Sequence, residues 1–172
     1  MSEETIYKEM ILNHARSPKY RGLMADWRVR QVGQNPLCGD HIVIYLKEVA
    51  NISGHSVKDS VDANADSKSV ALEISHEGYG CAITVASASI LAHTLHGASR
   101  QTAHEVCVSV LAALNKVDGN PHALTSPEII ALISVRDRPA RIKCATLPWL
   151  ALKTALSSLA TGTESEPVTS EI

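Results

Sequence analysis

Apolar residues recur at helical spacing near the start of the chain. Over residues 4–15, Ile6, Met10, Ile11 and Ala15 mark one side of a short amphipathic helix, which Pro18 and Gly22 bring to an end. The period then shortens to two. Trp27 to Val32 fits a strand, and Ile42, Ile44 and Leu46 alternate with Val43, Tyr45 and Lys47. Val70, Leu72 and Ile74 alternate in the same way with Ala71, Glu73 and Ser75. These segments predict a small antiparallel sheet of about three strands, with a turn-rich segment from Gly33 to Asp40 leading into its clearest strand. Residues 51–69 are rich in Ser, Asp, Asn and Gly, and predict an extended flexible hairpin loop that carries no chemistry.

Beyond Gly78-Tyr79-Gly80-Cys81 the period is helical again. Ile83, Ala86, Ile90 and Leu91 share one face, and a second helix from Gln101 to Asn115 turns Val106, Val110, Leu111 and Leu114 inward. Ser126 as cap and Pro127 in the first turn start a third helix that reaches Val135. A last helix is expected after Cys144, continuing to about Leu159, with Pro148 tolerated in its first turn. Residues 161–172 are small, polar and acidic and predict a disordered tail. The order of elements predicts a single α+β domain over residues 1–160, its sheet packed against the N-terminal helix and several C-terminal helices.

Composition narrows the core and the partners. The chain has no Phe, so its interior must be built from Val, Ile, Leu and Ala. A net charge of −2 provides no broad attraction to nucleic acid or to an anionic membrane; only Arg136 to Lys143 forms a local basic run. The acidic start is unlike a signal peptide, and the apolar stretch Ala82 to Ala92 is far shorter than the roughly 20 residues that span a bilayer. A cytoplasmic protein is therefore expected. In a reducing compartment four cysteines suggest metal binding or thiol chemistry over disulfides.

The four cysteines differ in setting. Cys38 lies in Asn35-Pro36-Leu37-Cys38-Gly39-Asp40, where Pro36 stiffens the chain and Gly39 opens backbone angles closed to other residues. Thiolate and carboxylate can then face one cation; the same turn also accommodates an incidental surface thiol. Cys81 follows Gly78-Tyr79-Gly80 at a helix entrance, where unpaired N–H groups favour the thiolate, and the alternative is a buried Cys in a Gly-rich turn. Cys144 follows Arg136, Arg138, Arg141 and Lys143, cations that would offset an anionic centre, although the run also reads as a solvated charged face. Cys107 shares a stripe with Ala103, Val110, Leu111 and Leu114 and is expected in the core. There is no Cys-x-x-Cys pair, which argues against a zinc finger or a thioredoxin-type dithiol. His41 is placed on the strand face away from Ile42, and His14, His93, His96 and His104 are expected as surface or capping residues.

These motifs, taken in order, resemble the IscU/NifU-N family of iron–sulfur assembly proteins. The likeness is carried by Ile6-Tyr7-Lys8-Glu9, Asn35 to Asp40, Gly78 to Ile83 with Ala86-Ser87-Ala88-Ser89, and Arg141 to Trp149. Lys143 stands where the scaffold members carry a His, and the Cys81–Cys144 interval looks longer than theirs. Both features are similar to the SufU branch. That resemblance implies zinc held by Cys38, Asp40, Cys81 and Cys144, with a SufS-type cysteine desulfurase as partner. It also implies sulfurtransferase activity, with Cys38 accepting persulfide sulfur and a downstream iron–sulfur assembly scaffold receiving it. The competing expectations are a scaffold on which iron or a [2Fe-2S] cluster is held, and a purely structural zinc module. The stretch 53–69 is longer than either branch leads one to expect.

Overall fold

The computed structural model describes residues 2–50, 70–117, 124–162 and 166–169. The segment 51–69, expected as a flexible loop, lies outside the described residues. Helix α1 (Glu3–Arg16) is capped by the Ser2 hydroxyl, which accepts from the Thr5 N–H. Three strands follow: β1 (Val29–Asn35), β2 (Asp40–Ala50) and β3 (Val70–Tyr79). Helices α2 (Ala82–Leu95), α3 (Arg100–Leu114), α4 (Pro127–Ile133) and α5 (Pro139–Thr161) complete the core, with a short 3-10 turn, Ser134–Asp137, between the last two. The fold is α+β as the periodicities predict, with β1–β2 and β2–β3 antiparallel.

Four expectations need correction. The sheet is mixed and four-stranded, ordered β3-β2-β1-β4, because the short strand β4 (Val168–Thr169) pairs parallel to β1 at Gly33 and Gln34. Part of the expected tail is therefore docked, and the buried Gln31 amide fixes it by donating to the Glu166 carbonyl at 2.8 Å. Strand β1 extends to Asn35, so the turn shrinks to residues 36–39. Helix α5 starts at Pro139, which needs no N–H at a first helical position, and Cys144 lies inside it. Pro148 is consequently interior and removes the N–H that would bond the Cys144 carbonyl. Packing outweighs that loss: every residue from Cys144 to Trp149 is buried, and Ser87 donates to the Ala145 carbonyl at 2.6 Å while accepting from Trp149 Nε1 at 3.1 Å.

Helix α5 is the spine of the molecule, packing against β1, β2, α2 and α3, while α1 covers α2 and α4. It comes close to the sheet at Gly33, where even a Cβ would stand 3.1 Å from Leu147. This contact sets the depth at which Cys144, one turn earlier, meets the ends of the strands. Cys107 is fully buried, donates to the Trp149 carbonyl at 3.2 Å, and has its thiol pKa pushed up to about 12 by burial, as befits a core residue.

The free edge of β3 is closed by the segment after α1: His76 donates its backbone N–H to Tyr20 O at 2.9 Å and accepts from Gly22 N at 2.8 Å. The His76 ring is buried, and among the described residues its Nε2 has no hydrogen-bond partner. Burial, with Arg21 alongside, lowers its pKa from 6.5 to about 4. Between those values the unfolded chain binds the proton and the folded chain does not. Stability is thus fully present above pH 6.5, falls as pH drops toward 4, and levels off below. The expected loss is about 3 kcal/mol. Urea titrations at pH 7 and pH 4.5 with a chelator present check this, and His76→Gln should shrink the difference by about 3 kcal/mol.

Candidate metal centre

Three loop ends meet where the sheet runs into the helices. The hairpin register pairs Asn35 with Asp40, leaving Pro36-Leu37-Cys38-Gly39 as the turn. Gly39 adopts φ +68°, a left-handed angle that swings the chain back into β2, and the Cys38 N–H donates to Asn35 O at 3.2 Å. Asp40 is thereby held in the ladder, almost fully buried, while Cys38 is exposed on the turn. Pairing of His41 with Tyr79 brings Gly80 and Cys81 alongside Asp40. Cys81 is the residue that caps the N-terminus of α2, and Cys144 reaches the same place from the second turn of α5, with no exposed surface.

Cys38, Asp40 and Cys144 each offer a ligand atom within 4.8 Å of the other two. Cys81 stands just outside that tight group and joins it in two ways. Its N–H donates to Asp40 Oδ1 at 2.8 Å, and its sulfur interacts with the Cys144 thiol. The Cys144 hydrogen bond is the main reason that the Cys81 pKa falls to about 5; the Thr84 hydroxyl and the N–H groups at the open end of α2 help, and burial opposes them. Cys144 moves the opposite way, well above the ordinary thiol range, because it donates to Cys81, is buried, and faces Asp40.

Asn35 and Gly80 are contributors that the cysteine pattern does not reveal. The buried Asn35 amide donates to Asp40 Oδ2 at 3.4 Å, so both carboxylate oxygens are held. At Gly80 a Cβ would stand 2.5 Å from Asp40 Oδ1, so only glycine leaves room for the carboxylate. The signals available in sequence were the Asn-Pro step at the turn and the second Gly of Gly78-Tyr79-Gly80. Around the group lies an apolar rim: Leu37 is 80 % exposed and Tyr79 66 %, with His41 stacked on the Tyr79 ring at 5.4 Å. The helical histidines divide. His96 ends α2 and stacks on Tyr20, whereas His14 bonds Ser89 at 3.0 Å and lies edge-on to His93.

The donor set is chemically consistent with one thiophilic cation: soft sulfur donors with one hard, exchangeable oxygen, on a preformed scaffold. A buried carboxylate against a buried thiol would otherwise be a costly placement. The chain belongs to the NifU-like N-terminal domain family, whose pattern it matches over residues 6–161. It is 31 % identical over 150 residues to the zinc-dependent sulfurtransferase SufU of Bacillus subtilis, covering 87 % of this chain and 88 % of that one. It is 32 % identical over 155 residues to the iron–sulfur cluster assembly scaffold protein IscU of Thermotoga maritima, covering 90 % and 94 %. Among solved structures it resembles a putative iron–sulfur cluster assembly scaffold protein for the SUF system from Fervidobacterium islandicum, with TM-score 0.69, 25 % identity, and coverage of 90 % and 99 %. The N-terminal part of a NifU-like protein from Brucella abortus shares the fold, with TM-score 0.67 over 93 % of this chain. The family is one of iron–sulfur cluster assembly proteins. Among the described residues no helix is long and apolar enough to cross a membrane.

Proposed function

We propose that this chain is a zinc-dependent sulfurtransferase that accepts persulfide sulfur from a cysteine desulfurase of the SufS type. The observation that carries the reading is the asymmetry of the centre: Cys38 is exposed on a turn while Asp40 and Cys144, within 4.8 Å of it, are buried. One thiol can meet a partner while the others stay anchored. Zinc would be held by Cys38, Asp40, Cys81 and Cys144, with Cys81 tied to the group through its N–H on Asp40 Oδ1; when bound, it would keep the thiols deprotonated.

The chemistry at Cys38 is thiol–persulfide exchange. Its thiolate attacks the outer sulfur of the donor's Cys–S–SH, a new S–S bond forms at Cys38 Sγ, and the donor leaves as thiolate. Electrons and protons balance with no outside oxidant. Gly39 gives the turn room to carry Cys38 outward, and the exposed Leu37 and Tyr79 offer apolar surface for a partner to cover. Asp40, held by Asn35 and the Cys81 N–H, keeps its place as Cys38 moves. The onward acceptor is an iron–sulfur assembly scaffold.

The test mixes the purified chain with a SufS-type desulfurase. Alanine production from cysteine should rise at least about tenfold, with Cys38 gaining one sulfur by mass spectrometry, and Cys38→Ser should return turnover to the desulfurase's own rate. The scaffold reading draws support from the comparably close IscU relative. It predicts instead a coloured, transferable [2Fe-2S] cargo after reconstitution, with no stimulation of the desulfurase. Lys143, cationic where a fourth neutral ligand would serve a cluster, favours sulfur transfer.

A further inference from the structure

A groove of about 820 Å³, open to solvent, lies between α1 on one side and the 3-10 turn and start of α5 on the other. Its lining is mainly apolar, with Ile11, Ile83 and Val135 contributing. Of the four candidate ligands, only Cys81 borders it. Cys38, the exposed thiol, opens elsewhere, so the centre has two approaches.

The rim carries an imbalance of charge. Arg138 is matched by Glu4 at 3.5 Å and Asp137 by Lys116 at 3.1 Å. Lys8 and Arg141, both exposed, form no ion pair among the described residues. An apolar floor between helices, flanked by two uncompensated cations, is complementary to an apolar side chain flanked by carboxylates. A small polar ligand would find few groups to orient it on such a floor. An anionic membrane would be a poor match for a chain whose net charge is −2.

We propose that this groove docks an acidic segment of a partner protein, with an apolar side chain seated between α1 and α5 and carboxylates on Lys8 and Arg141. The seated segment would cover Cys81 while Cys38 stays open at its turn. The groove would thus bind a second protein without competing for the thiol that accepts sulfur. The surface goes beyond the sulfur-transfer reading and does not need it.

The test uses the full chain and two fluorescein-labelled peptides, with no desulfurase present. One peptide places two leucines a helical turn apart among glutamates; the other replaces those glutamates with lysines. The acidic peptide should bind saturably, shift the methyl resonances of Ile11, Ile83 and Val135, and weaken at high salt. Lys8→Glu, at an exposed position, should cut its affinity about tenfold, with Lys8→Gln between the two. Equal binding of both peptides, shifts confined to Leu37 and the turn, or no saturable binding would overturn the proposal. So would stronger binding to phosphatidylglycerol vesicles than to the acidic peptide.

Discussion

Alanine at position 78 is expected to cost about 3–5 kcal/mol of stability, enough to leave much of the chain unfolded at 37 °C. Gly78 has φ +135°, an angle open to glycine and strained for any residue with a Cβ. The Cβ would also fall 2.1 Å from the His41 carbonyl oxygen and 2.9 Å from Ile42 Cα. Both obstacles are backbone atoms of the central strand, so no side chain can swing aside. Relief requires β3 to leave β2 at the Ile42–Gly78 pair, beside the centre. A lowered urea midpoint in metal-free protein checks the cost. A midpoint within about 1 kcal/mol of wild type would mean that the strand end tolerates the shift.

Gly80→Ala should separate metal binding from folding. Its Cβ would meet the Asp40 side chain, with Oδ1 at 2.5 Å and Cγ at 3.1 Å. Asp40 can yield, unlike a backbone atom, but it then loses the Cys81 N–H and the position it shares with Cys38 and Cys144. Zinc affinity in a chelator competition should fall about 100-fold, the upper end for residues that orient ligands. Metal-free stability should fall only by about 1–3 kcal/mol, the cost of the lost hydrogen bond. Gly39→Asn is the control: a Cβ there meets nothing within 4 Å, and Asn tolerates φ +68°. Its affinity should stay near wild type. If Gly80→Ala binds zinc normally, Asp40 is not a ligand.

Why the strands and helices were legible in the chain is a matter of range. Alternation in Ile42 to Lys47 and 3.6-spacing after Cys81 are local patterns, as are the Ser126-Pro127 helix start and the core stripe around Cys107. Each depends on neighbours within two turns. A helix start after Cys144 places Pro148 in a first turn, as its missing N–H favours, whereas α5 begins at Pro139 and buried packing with the Ser87–Trp149 hydrogen bond carries it through Pro148. The docking of 166–169 on β1 depends on Gln31, which lies 135 residues from its partner Glu166.

By itself the sequence determined which residues can be soft ligands, which segments are strands or helices, and that any such centre needs the fold first, since the candidate ligands lie far apart. Tertiary structure alone decided that Cys38 is exposed while Cys144 is buried, that the Cys81 thiol is acidified while that of Cys144 is shifted up, and that Asn35 and Gly80 hold Asp40. The reason is physical: ligand chemistry belongs to a side chain, but exposure, acidity and steric room belong to what the folded chain brings next to it.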